Sequence, residues 1–405
     1  MKKVLVLAVT VWAVSIGMAQ TAVTIWQAGI TREDGNVIHF TFELHSNASK
    51  KIIYILNGKE KLKVDSIRFT KDSVFIQMPF FESRFRAAVT GTQHWQGEWI
   101  KGTSGDDIVL PFEATVQTAQ NAMKLKPLAD ISGRWAVRFT ETDGSQSPAI
   151  AELEQHGNQL YGSFLTPWGD YRYLTGFVNG AALELSAFDG SHLFHFLATI
   201  HSDSSITEGK FISGAHSFEQ WTAVRNDTAT LPDESAMYVK DGEEKLNFRF
   251  PDLNKKMVGI QDARFKNKVV IVQLMGSWCP NCMDETAFLS DYYRTHRNKG
   301  VEVVALAYEY SSDFNRSKAS LLRFVNRFQV QYPVLFTGVA VGDSLRTEKT
   351  LPQVTPIKSF PSSIILDKQG RIRKIDTGFN GPGTGVHYIQ YKKEFEETIN
   401  RLLKE

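Results

Sequence analysis

Cysteine is nearly missing from this 405-residue chain. Only two are present, too few for a disulfide-stapled scaffold or a four-thiolate zinc site. Excess charge of one sign is missing too. Lys and Arg total 46 against 44 Asp and Glu, a net +2, which leaves no basic footprint for nucleic acid. Mean hydropathy is −0.23, which excludes a polytopic membrane protein. Neither a G-x-G-x-x-G nor a Walker motif occurs, so no nucleotide cofactor is implied. Gly (29) and Pro (13) are at ordinary levels, which excludes collagen-like and low-complexity chains. What is plentiful is aromatic side chains, with 27 Phe, 12 Tyr and 8 Trp, a leaning toward β-rich structure.

The first 19 residues read MKKVLVLAVTVWAVSIGMA. Lys2 and Lys3 give a positive start, Val4 to Ile16 an apolar middle, and Gly17 and Ala19 small residues at −3 and −1 before Gln20. That pattern predicts a secretory signal peptide; the apolar run is shorter than the about 20 residues that cross a bilayer. The mature protein is expected to be soluble outside the cytoplasm, in the periplasm, where thiols can be oxidised.

The length suggests two or three domains. Residues 20–126 read as alternating strands. In VIHFTFEL, Ile38, Phe40, Phe42 and Leu44 fall on one face, the period of two of a half-buried antiparallel strand. IIYIL ends at Asn57-Gly58, a hairpin signal. Residues 127–230 hold eight further candidate strands with Gly-containing turns between them, which predicts an up-and-down barrel or a tightly curled sandwich. A polar stretch, 231–245, reads as a linker. Beyond it the pattern changes to α/β. KVVIVQLM and VEVVALAYEY are nearly continuous apolar runs, as central strands buried on both faces should be. Pro280 to His296, Asp313 to Phe328 and Phe395 to Leu403 are helical in pattern, and SSIILD with IRKIDTG reads as a final hairpin. The expected fold is therefore two N-terminal all-β antiparallel domains, barrel- or sandwich-like, followed by an α/β domain over 246–405.

Both cysteines lie in Trp278-Cys279-Pro280-Asn281-Cys282, directly after the KVVIVQLM strand and at the opening of a helix. A thiolate at a helix N-terminus is stabilised by unpaired backbone N–H groups and by the dipole. Cys279 is the expected attacking thiolate, and Cys282, one turn in and more buried, the resolving thiol. Glu285 precedes Phe288, Leu289 and Tyr292 at +3, +4 and +7, which puts its carboxylate on the helix's apolar stripe. There its pKa would rise and it could relay the resolving thiol's proton. Its neighbour Asp284 reads as a surface acid of the first turn. Trp278 shields the site's edge, and Pro280 is tolerated because its N–H would be orphaned anyway. Asn281 is neutral and so supplies no cation to hold a thiolate, which argues for a reductant rather than a strong oxidant. His192, His195, His201 and His216 lie in the second β block; His192 and His195, read as one strand, point to opposite faces and suggest no metal.

KVVIVQLMGSWCPNCMDE with the downstream SFPSSIILDKQGRI resembles the exported TlpA/ResA-type thiol-disulfide oxidoreductases of the thioredoxin superfamily, over residues 246–405. The lead-in FRFPDLNKKMVGIQDARFKNK is similar to the family's first hairpin, and the combination with β-rich N-terminal domains resembles multidomain proteins of the Bacteroidota type. The resemblance implies a thioredoxin-like fold, an acid at the position of Glu285, and a cis-proline, Pro361, which exposes the backbone edge at Phe360 to substrate. Ala287 stands where many relatives have proline. The implied site has Cys279, Cys282, Glu285 and Pro361 as catalytic residues, with Trp278, Pro280, Asn281 and Phe360 facing the substrate and no metal or other cofactor. Its implied partners are disulfide-bearing exported proteins and a membrane-bound or periplasmic thiol electron donor. Two rival readings are a thiol peroxidase and an envelope binding protein whose β domains recognise the partner. Against the peroxidase, Gly276 stands where such enzymes keep Thr or Ser.

Overall fold

The computed structural model describes residues 22–47, 50–79, 81–117, 125–233 and 236–405; the expected signal peptide lies outside them. The first sheet has nine antiparallel strands: β1 (Ala22–Thr31), β2 (Val37–Ser46), β3 (Lys51–Asn57), β4 (Glu60–Val64), β5 (Ser66–Phe69), β6 (Ser73–Gln77), β7 (Ser83–Val89), β8 (His94–Lys101) and β9 (Ile108–Val116). It runs β4-β3-β2-β1-β9-β8-β7-β6-β5, so β1 and β9 join the two halves and, among the described residues, the barrel stays open between β4 and β5. Alternation sets its inside: Ile38, Phe40, Phe42 and Leu44 are buried, and Trp26, Phe42 and Trp95 stack within 4.4–5.7 Å of one another.

The second sheet comprises β10 (Gly133–Thr140), β11 (Gln146–His156), β12 (Gln159–Thr166), β13 (Gly169–Asp170), β14 (Leu174–Asn179), β15 (Ala182–Phe188), β16 (Leu193–Ile200), β17 (Ser205–Ser213) and β18 (Ser217–Arg225). Each long strand pairs with the next, and β18 pairs back with β10. This is a closed up-and-down barrel, the first of the two architectures the strand spacing predicts. Closure removes every sheet edge. Stacked Phe164, Phe196 and Phe211 fill it, with centroids 4.3 and 4.2 Å apart. The eight candidate strands of 127–230 include YRYLTGFV, Tyr171–Val178; β14 begins only at Leu174, because Gly169–Asp170 first turns back on β12.

The α/β unit opens with the small hairpin β19 (Arg249–Pro251) and β20 (Met257–Gly259). It continues with β21 (Val269–Met275), α1 (Pro280–His296), β22 (Val301–Ala307), α2 (Phe314–Phe328), β23 (Val334–Phe336), α3 (Arg346–Thr350), β24 (Ser362–Leu366), β25 (Ile372–Thr377) and α4 (Val386–Lys404). The sheet order is β23-β22-β21-β24-β25, with the first three parallel and the last two antiparallel. This is the thioredoxin-like arrangement that the resemblance implies. β21 and β22 are buried at every position, as their unbroken apolar runs require.

Two elements depart from the sequence reading. Helix α4 starts nine residues before Phe395; Val386 and Ile389 face outward, which leaves its first turns without an apolar stripe. Of residues 231–245, read as a linker, those from 236 on run along the α/β unit. The Lys240 N–H donates to the Gln353 carbonyl at 2.9 Å and the Ile372 N–H to that of Glu244 at 2.8 Å.

The three units pack on one another. Asn57 exchanges two hydrogen bonds with the Phe188 backbone, at 3.0 and 3.1 Å. Arg316 of α2 pairs with Glu82 of the first barrel at 2.9 Å. Phe196 sits at the centre of the second barrel with no solvent exposure. Phe196→Ala is expected to cost that barrel about 3–5 kcal/mol, read as a lower urea midpoint in the emission of Trp135 and Trp221; a loss under about 1 kcal/mol would show that the stack collapses onto the gap.

A buried CPNC disulfide as candidate active site

Strand β21 ends at Met275, and four residues later Cys279 is the N-cap of α1, with Pro280 in the first turn. Proline fits there because the first helical N–H groups have no partner within the helix. The Cys279 Sγ accepts the Cys282 N–H at 3.1 Å and lies 3.4 Å from the Phe360 carbonyl oxygen. Cys279 and Cys282 are joined in a disulfide with Cα atoms 5.2 Å apart. The Phe360–Pro361 peptide bond is cis, at the residue to which the resemblance assigns it. Trp278 lies over Tyr310 at 5.5 Å and against the Phe360 ring at 5.7 Å, and its indole N–H donates to the Tyr308 carbonyl at 2.8 Å. Cys279, Cys282, Trp278, Phe360 and Pro361 thus meet in one place although the loop of Phe360 is 81 residues away in sequence.

Glu285 points into the core, 1% exposed. One carboxylate oxygen accepts from the Ser363 hydroxyl at 2.8 Å and the other from the Gln273 amide at 2.8 Å. Burial pushes its pKa up to about 7, against the pull of these two donors. Sequence reasoning missed a second buried carboxylate, Glu309. It accepts the Ser277 N–H at 2.8 Å and the Ser277 hydroxyl at 2.5 Å, two residues before Cys279, and burial raises it also to about 7. Its sequence position, just past an apolar run, was a weak signal; a carboxylate there either leaves the sheet for solvent or must find donors beside the active turn.

Two expectations are corrected. Asp284 is no surface acid: its carboxylate is held by Arg172 of the second barrel through bonds of 2.8 and 2.9 Å, and its side chain is 11% exposed. His192 lies in the turn before β16, paired with Asp189 at 2.9 Å, while His195 faces Glu184 at 3.1 Å. Among the described residues no group of three His, Cys, Asp or Glu side chains is arranged to hold a metal. Asn281, expected to face a substrate, is buried and donates from its amide to the Asp170 carbonyl at 3.2 Å. Cys282 is the deeper sulfur, as its place in the helix implies, yet Cys279 is itself only 3% exposed.

Residues 240–388 match the Redoxin family model. They form a redoxin domain. The match extends to ResA thiol-disulfide oxidoreductases: the one from Bacillus thuringiensis subsp. konkukian is 28% identical over 161 residues, covering 40% of this chain and 78% of the relative. That from Bacillus subtilis is 24% identical over 140 residues, covering 35% and 69%. Solved structures similar to the chain include a DsbF homologue from Corynebacterium diphtheriae (21% identity, 42% of this chain and 97% of that one, TM-score 0.30). Another is a thiol-disulfide oxidoreductase from Bacteroides fragilis (15%, 38% and 99%, TM-score 0.29). The redoxin domain is homologous to the ResA enzymes, and the family segment leaves the two barrels outside it.

The raised carboxylates of the redoxin domain set a pH dependence. Each has a folded pKa near 7 against an unfolded value near 4.5. The stability gained from keeping each protonated is complete below about pH 4.5 and is lost as pH rises through about 7, on the order of 3 kcal/mol per group. In the oxidised protein, Glu285→Gln should therefore flatten the fall in urea midpoint between pH 5 and pH 8. An unchanged slope would mean that Glu285 stays ionised throughout.

Proposed function

We propose that this protein is an exported thiol-disulfide oxidoreductase that works as a reductant of protein disulfides. The observation that carries the reading is the Cys279 sulfur at the N-terminus of α1, accepting the Cys282 N–H with the partner sulfur one turn below. A negative charge on that sulfur is stabilised by the same N–H and by the helix dipole. In the reduced enzyme the Cys279 thiolate attacks a substrate disulfide, forming a mixed disulfide and expelling one substrate thiolate. The Cys282 thiol gives its proton to Glu285 and attacks the Cys279 sulfur, which expels the second substrate thiolate and closes the pair. A thiol donor outside the cytoplasm then returns two electrons. Pro361 and Phe360 border the attacking sulfur, Trp278 and Pro280 flank it, and Asn281 holds the turn between the cysteines. The signal-like residues 1–19 support export, and among the described residues no helix is long and apolar enough to cross a membrane. The domain division carried by this reading is 20–126, 127–230, a connector over 231–245, and 246–405.

The direction of electron flow follows from charge. A strong oxidant needs its reduced thiolate stabilised. Here the spacer is neutral, and the buried cation bonded to α1, Arg172, is already shared between two carboxylates, Asp284 and Glu60. With Arg172 already neutralised, the thiolate is held by the N–H and the helix dipole alone, so the pair gives up electrons more readily than that of a strong oxidant.

Cys279→Ser should abolish reduction of a protein disulfide such as that of insulin, while Cys282→Ser should accumulate the mixed disulfide, visible on a non-reducing gel. Equal activity of Cys279→Ser and wild type would remove the enzyme reading. Equilibration against dithiothreitol should place the pair near the thioredoxin range, about −270 mV; a value near about −120 mV would reverse the direction.

A further inference from the structure

The short segment Trp168–Arg172, at the tip that joins β12 to β14, has no counterpart in the reaction just described, yet it is anchored on both sides of the sulfur pair. The Trp168 carbonyl accepts from the Ser359 hydroxyl at 2.7 Å, one residue before Phe360. The Asp170 carbonyl accepts from Asn281 at 3.2 Å, between the two cysteines. The Asp170 carboxylate accepts the Gly381 N–H at 2.8 Å. The fit is close: a Cβ on Gly169, whose φ is +150°, would come within 2.9 Å of the Asn281 amide oxygen, and one on Gly383 within 2.6 Å of the Arg172 backbone.

Arg172 closes the arrangement. It adopts a left-handed backbone, φ +56°, which costs a non-glycine residue about 1 kcal/mol or more and persists only where surroundings hold it. What holds it is the bidentate bond to Asp284, two residues past Cys282, and a third bond to Glu60 of the first barrel at 2.7 Å. The guanidinium is buried and both its partners are largely so. If the segment lifts, all three ions meet water together and no charge is stranded, so the lost attraction is largely offset by regained hydration. The junction can therefore open and reclose.

We propose that Trp168–Arg172 is a specificity-determining cover over the redox pair, latched by Arg172, and that only partners able to displace it exchange disulfides with Cys279. The inference rests on the redox reading above. An incoming thiolate must reach the Cys279 sulfur along the line of the S–S bond, and Cys279 is only 3% exposed, with the segment bonded to the residues on both sides of it. The cover shields the pair from stray thiols and makes recognition of the barrels part of the reaction.

The test is the reduction of the oxidised full-length chain by dithiothreitol, followed by quenched alkylation and mass. A dithiothreitol thiolate attacks Cys279, the S–S bond breaks with its electron pair on Cys282, and the second dithiothreitol thiol, losing its proton to solvent, displaces Cys279. Dithiothreitol ends as its cyclic disulfide and two electrons have passed to the pair. The wild-type rate should level off at high dithiothreitol, where opening limits it. Arg172→Ala leaves Asp284 and Glu60 facing each other and should react at least tenfold faster, in proportion to reductant. Charge alone works the other way, because losing a cation slows attack by an anion, so acceleration reports access. Should Arg172→Ala not fold, Ser359→Ala removes only the bond to Trp168 and should raise the plateau several-fold. A wild-type rate proportional to dithiothreitol at every concentration, unchanged in either variant, would overturn the cover. The measurement reads access to the sulfurs, whereas loss of insulin reduction in Cys279→Ser reads the enzyme, so the two failures are distinct.

Discussion

Arg172 sits in the interior between two carboxylates contributed by distant stretches of chain, Glu60 before it and Asp284 after it, each 112 residues away. A buried triad of this kind adds little net stability, since the ions give up hydration to meet. It does set position: a guanidinium fork donates to a carboxylate in one plane and one orientation. The first barrel, the second barrel and the N-terminus of α1 are thereby registered at one point, two residues from a cysteine. The apolar contacts that surround this point, such as Phe40 against Phe188 at 4.3 Å, hold the surfaces together but tolerate sliding; the triad does not.

Around the sulfur pair the protein places carboxylates rather than cations. Glu285 lies beneath the helix on donors from β21 and β24, and Glu309 lies beneath the preceding turn on Ser277. Both gain from staying protonated in a dry environment, so each can hold one proton near neutral pH. Only Glu285 lies on the helix that carries Cys282. Glu309 acts on geometry, since Ser277 gives it two hydrogen bonds and the turn that carries Cys279 follows directly. The second barrel meets this region directly, through Asn281, Ser359 and Asp284.

Much was legible in the residues themselves. Alternation of apolar side chains, Gly-containing turns and unbroken Val/Ile runs are local signals, and they placed the strands of both barrels and the central strands of the redoxin domain. The CPNC motif ahead of a helix is local as well, and so is the spacing that turned Glu285 inward. Signals failed where a side chain's fate depended on another element. Val386 to Glu394 reads as polar because its inward residues, Tyr388 and Tyr391, pack on Phe288 and Phe379, rings that lie in other elements of the redoxin domain.

The chemistry is thus the sequence's own: two cysteines at helix spacing after a buried strand can do little else than exchange electrons as a pair. The tertiary structure alone decided that Asp284 is an anchor and not a surface acid, that Asn281 bonds a barrel and not solvent, and that Cys279 is covered. The reason is physical. A periodicity reports which face of its own element a residue takes, but burial of a polar residue depends on whether a complementary group arrives from elsewhere, and that group is named only by the fold.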